Sequence, residues 1–122
     1  MCQDFGIESE VIPRIASGFA GGIGNTGSVC GAVIGAVMAI GLTQKKADSM
    51  EEGLANMAVV QEFRRRYEAE METVSCRELT GLDLTTQEGL QEIMTSETVQ
   101  AACFSSVGVA YRVVSNLLKE TS

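Results

Sequence analysis

Residues 15–42 run for 28 positions without a single charge, and glycine recurs throughout them. Such a stretch admits three readings: a membrane span, a phosphate loop, or the seat of a reactive thiol. Length alone meets the roughly 20 residues that a membrane-spanning helix needs. The run is split, however, by GNTGS at residues 24–28, a polar turn that could not lie unsatisfied in hydrocarbon. The 14 residues that follow, 29–42, have the length of a buried core helix. Within them Gly31 and Gly35 form a GxxxG, and small residues at that spacing let helices approach closely. GIGNTG at residues 22–27 fits G-x-G-x-x-G. A dinucleotide loop, though, follows a strand in a βαβ unit, and a Walker loop carries a lysine. Neither context is present. The stretch therefore reads as a glycine loop leading into a close-packed helix, and no membrane span is expected.

The rest of the chain shows no convincing strand and several helices. Residues 8–17 form a short helix with Pro13 near its first turn. Ser28 caps a helix over about residues 29–41. Asp48, with Glu51 three residues on, opens a long helix over about residues 49–74. Its apolar stripe is Met50, Leu54, Met57, Val60, Phe63, Tyr67, Met71 and Val74, with every step three or four residues. CRELTG at residues 76–81 is a single turn ended by glycine, and Thr86 caps a short helix through Met94. The last helix, about residues 97–119, carries Val99, Cys103, Val107, Ala110, Val114 and Leu117 on one face, with Lys119 suiting the end of its dipole. At 122 residues the chain makes one domain. The expected fold is all-α: a small single-domain bundle of about five helical segments, with a glycine-rich loop before a buried helix.

Charge and composition exclude several functions. Nine basic residues against 16 acidic give a net charge of −7, which disfavours nucleic acid and anionic lipid. Arg64, Arg65 and Arg66 are followed by Glu68 and Glu70, so the basic run reads as a paired, solvated helix face. The chain has no histidine. Ser-His-Asp and Cys-His nucleophiles, His-ligated zinc and c-type haem attachment are thereby excluded. No pair of carboxylates stands out for acid–base work, and Tyr67 and Tyr111 lie on apolar stripes. The acidic N-terminus is not that of a secretory signal, so a cytoplasmic, reducing environment is expected, where stable disulfides are uncommon.

The four cysteines, Cys2, Cys30, Cys76 and Cys103, include no C-x-x-C pair. Cys30 falls in the first turn of the glycine-rich helix and Cys76 opens the CRELTG turn. Free N–H groups and a positive helix end favour thiolates there, and Arg77 adds to this at Cys76. Cys103 lies on the apolar stripe of the last helix and should point inward. Gly22, Gly24, Gly27 and Gly31 would bring backbone close to Cys30. Three cysteines from three elements could thus converge, either as redox thiols or as metal ligands. Against this stands the ordinary reading of buried cysteine as a small apolar group.

The same residues resemble a known family. GFAGGIG at residues 18–24, CGAVIGA at residues 30–36, the helix around Phe63 and Tyr67, CREL and glycine at residues 76–81, and the late Cys103 are similar to the C_GCAxxG_C_C family of bacterial and archaeal redox-active proteins, which is related to a domain of split-Soret cytochrome c. The resemblance covers about residues 8–118. It implies a small helical domain with Cys30, Cys76 and Cys103 as redox thiols or metal ligands. With histidine absent, an iron–sulfur cluster is the expected metal centre, since thiolates hold it. The family pattern has a fourth cysteine in a helix ahead of the segment where this chain begins, and Cys2 is not read as its equivalent. The chain is expected to be shortened relative to the family, and a second subunit, as in a homodimer, could complete the set. An electron-transfer partner follows from a redox role. The alternative is a non-catalytic helical module for binding or dimerisation, with structural core cysteines.

Overall fold

The computed structural model describes residue 6 and residues 9–121. Helix α1 is Val11–Ala16, followed directly by a 3-10 turn at Ser17–Phe19. Then come α2 (Gly31–Thr43), α3 (Met50–Met71), α4 (Cys76–Thr80), α5 (Gln87–Thr95) and α6 (Glu97–Thr121). The described residues hold no strand, only an isolated antiparallel bridge between Val29 and Ser75. The all-α expectation is met.

Local chemistry explains most helix ends. Ser75 caps α4 by accepting the Glu78 N–H at 3.3 Å, and Gly81, at φ 70°, closes it. Thr86 caps α5 by accepting the Gly89 N–H at 3.0 Å. Helix α3 starts one residue later than expected. Ser49, not Asp48, accepts the Glu52 N–H at 3.2 Å, while the Glu52 carboxylate accepts the Asp48 N–H at 2.7 Å. Asp48–Glu51 and Ser49–Glu52 both have the capping-box spacing, so spacing could not choose between them. At its other end α3 stops at Met71, because Glu72 takes a left-handed φ of 71°.

Helix α6 lies against both α2 and α3. Ile40 of α2, Phe63 and Tyr67 of α3 and Val114 of α6 are completely buried where the three meet. The rings of Phe63 and Tyr67 pack with centroids 5.9 Å apart. By length and composition α6 could cross a membrane, but its Ala110, Val113, Val114, Leu117 and Leu118 are packed into this core.

Two expected stripes are only partly buried. On α3, Phe63 and Tyr67 are covered, whereas Met50, Leu54 and Met57 are exposed, Met50 by 84%. The apolar period continues along α3 beyond the surface that α2 and α6 cover. On α6, Ala110, Val114 and Leu117 are buried as expected, but Val107 is 57% exposed and Ser106 is buried instead. The arginine run is a paired face. Arg64 pairs with Glu68, Arg65 with Glu62, and Arg66 with Glu62 and Glu120. Glu70 pairs across to Arg112 rather than with Arg66.

Candidate thiol site

Cys30 is the N-cap of α2, which begins at Gly31. The expected cap, Ser28, serves elsewhere. Its carbonyl accepts the Cys76 N–H at 2.7 Å, and the Cys30 N–H reaches the Val74 carbonyl at 2.7 Å. These two bonds flank the Val29–Ser75 bridge. They hold residues 28–30 extended, so the helix cannot start before Gly31. They also tie the entry to α2 to the entry to α4, bringing Cys30 and Cys76 side by side although 46 residues separate them.

The glycine loop packs onto this junction. A Cβ on Gly22 would lie 2.7 Å from the Cys76 Cβ and 2.7 Å from the Ser28 nitrogen, and its φ is +71°. Only glycine meets both conditions without strain. At Gly31 a Cβ would approach the Phe19 carbonyl oxygen to 2.9 Å. Gly27 backs onto the Arg77 side chain, and Gly24 lies near nothing closer than the Gly18 oxygen at 3.8 Å. Gly22 and Gly31 therefore border the cysteines, with Gly22 against Cys76 rather than Cys30. The loop amides are largely used internally: those of Ile23, Asn25, Gly27 and Ser28 bond to carbonyls of residues 19–22. These amides are therefore not free to face the Cys30 sulfur.

Cys103 of α6 completes the arrangement. Cys30, Cys76 and Cys103 line one cavity of about 410 Å³, walled otherwise by small and apolar residues such as Ala20, Gly22, Gly31 and Val107. None of the three is in a disulfide; Cys76 is buried, and Cys30 and Cys103 are partly exposed. Burial pushes the Cys76 thiol up, and proximity to Cys30 and then Cys103 adds to this. Burial also pushes the Cys103 thiol up, with Cys30 adding. For Cys76 this reverses the expectation drawn from its place at a helix start. An apolar cavity disfavours the thiolate more than a five-residue helix assists it. Nor does Arg77 help, because its guanidinium pairs with Asp83 at 3.2 Å.

One wall is polar. Cys30 Sγ lies 3.0 Å from Ser106 Oγ, and the Tyr67 hydroxyl donates to Ser106 Oγ at 3.3 Å. Ser106 is 2% exposed and Tyr67 not at all. Burial pushes the Tyr67 phenol up to about 12; the Ser106 bond opposes this and the neighbouring Cys30 reinforces it. Sequence reasoning passed over Ser106. Its signal was its register: three residues after Cys103 and four before Ala110, a hydroxyl on an apolar face.

Among the described residues, no group of three or more cysteines and carboxylates could hold a metal ion. The three thiols ring a cavity instead of meeting at a point. Cys2 lies outside the described residues.

No curated protein and no solved structure matches the chain. The sequence pattern of one family, described as "putative redox-active protein (C_GCAxxG_C_C)", matches residues 1–117, almost the whole chain, and the protein belongs to that family.

Proposed function

We propose that this is a cysteine-based redox protein in which Cys30, Cys76 and Cys103 act together at their shared cavity. One observation carries the reading: three free thiols from three separate elements line a single cavity of about 410 Å³. Inert core cysteines would be scattered among apolar side chains. In the thiol form, Cys30 and one neighbouring cysteine give up two protons and two electrons and form one disulfide. The acceptor is an external disulfide, which is reduced to two thiols.

A second reading, an iron–sulfur cluster, rests on the chemistry of the donor set and not on its geometry, since the three cysteines as placed form no metal-holding group. That set consists of thiols alone, in a chain without histidine. Such a cluster supplies one-electron transfer when bound. A fourth ligand would come from outside the three, and a second copy of the chain in a homodimer is one source. Either form needs an electron-transfer partner and suits a reducing cytoplasm, where the thiols stay free.

Anaerobic purification separates the two forms. Visible absorption with bound iron supports the cluster; a colourless protein that loses two of these thiols on mild oxidation supports the disulfide. A colourless, metal-free protein whose three thiols never pair under oxidation overturns the proposal and leaves the non-catalytic module.

A further inference from the structure

We infer that the hydroxyls of Tyr67 and Ser106 form a relay that donates a hydrogen bond to the Cys30 sulfur and so raises the reduction potential of the site. The inference rests on the reading of Cys30 as a redox sulfur. It adds two positioning residues that the cysteine pattern does not contain.

Hydrogen counting permits this direction, although at the Cys30–Ser106 contact either group can donate. A hydroxyl has one hydrogen and can accept through its oxygen. Ser106 Oγ accepts from the Tyr67 hydroxyl at 3.3 Å. Its own hydrogen is then free for the Cys30 sulfur, 3.0 Å away. The three groups come from α3, α6 and the cap of α2, so tertiary packing alone assembles them. A serine inside a long helix commonly bonds back to a carbonyl of its own helix or faces water. Ser106 instead reaches across the core to two other elements. Its burial makes the contact count, because a hydrogen bond strengthens where water cannot compete.

The relay also sets Cys30 apart. Among the described residues, the sulfurs of Cys76 and Cys103 have no such hydroxyl, and apolar burial dominates around both. Cys30 is the neighbour that both of them feel. The sulfur common to both neighbours is thus the one supplied with a donor.

A donor stabilises an electron-rich sulfur more than an oxidised one. In the thiol form, reduction breaks the disulfide and takes up two electrons and two protons, supplied by an external dithiol that becomes a disulfide. The relay favours the resulting Cys30 thiol over the disulfide.

The test is the midpoint potential of the reduced–oxidised couple. It is read in dithiol–disulfide buffers. Ser106→Ala should shift the equilibrium about tenfold towards the oxidised form, or about 30 mV lower for this two-electron couple. Tyr67→Phe should move it the same way by about threefold. Ser106→Thr keeps the hydroxyl and should recover most of the loss. If Ser106→Ala does not fold, as judged by circular dichroism, Tyr67→Phe decides alone, since it removes one oxygen. A wild-type couple that neither variant moves overturns the relay. A wild-type protein with no couple at all overturns the redox proposal itself, a different result.

Discussion

Helix α6 passes through two environments. Its C-terminal half supplies Ala110, Val113, Val114, Leu117 and Leu118 to a core in which Ile40, Phe63 and Tyr67 have no exposed surface. Its N-terminal half brings Cys103, Ser106 and Val107 to a cavity of about 410 Å³. The packed half is built from branched and aromatic side chains. The cavity half is faced mainly by glycine, alanine and cysteine, which are too small to fill it. One bundle therefore has an end specialised for stability and an end left open, and Tyr67 sits between them, buried in the first and hydrogen-bonded into the second.

Substitutions should separate the two ends. The largest expected effect belongs to the cavity. Cys30→Ser should abolish any disulfide or cluster, with folding retained. Thiol counting and visible spectra check this, and an intact disulfide or cluster would remove Cys30 from the centre of the site. Next, Phe63→Ala should cost about 3–5 kcal/mol in urea unfolding by leaving a cavity in the packed end. Met57→Ala, on the exposed part of the same helix, should stay within about 0.5 kcal/mol. Equal costs would mean that Met57 is covered in solution. Gly22→Ala forces a side chain into a left-handed φ and against Cys76. It should cost about 1–3 kcal/mol and change the labelling rate of Cys76.

The smallest effect tests the junction. Tyr67→Phe should lose about 1 kcal/mol at neutral pH through its hydroxyl bond. It also has a pH signature. The folded-state phenol is pushed up to about 12 from 10.0, so between those values the native protein holds a proton that the unfolded chain has released. The stabilisation is complete below pH 10 and is lost as the pH rises through about 12. Urea midpoints across that window should fall less steeply for Tyr67→Phe than for the wild type. Equal slopes would show that Tyr67 does not titrate late.

Much of this was legible in the chain. Period and capping residues placed most helices, because a helix is governed by neighbours three and four residues apart. CGAVIG and CREL marked two of the cysteines, and the stripe of α6 marked the third. Three features were not legible for one shared reason. The start of α2 depends on the Val29–Ser75 bridge, to a residue 46 positions away. The elevated thiol of Cys76 depends on burial, which its place at a helix start does not state. The exposure of Met50, Leu54 and Met57 depends on where α2 and α6 stop covering α3.

By itself, then, the sequence determined the helices, the lack of histidine and the supply of small residues around three cysteines, all consequences of local spacing and composition. Only the tertiary structure decided that those cysteines share one cavity and that Tyr67 and Ser106 reach Cys30. Those contacts join residues 39 and 76 positions apart, and packing, not local propensity, brings them within hydrogen-bond distance.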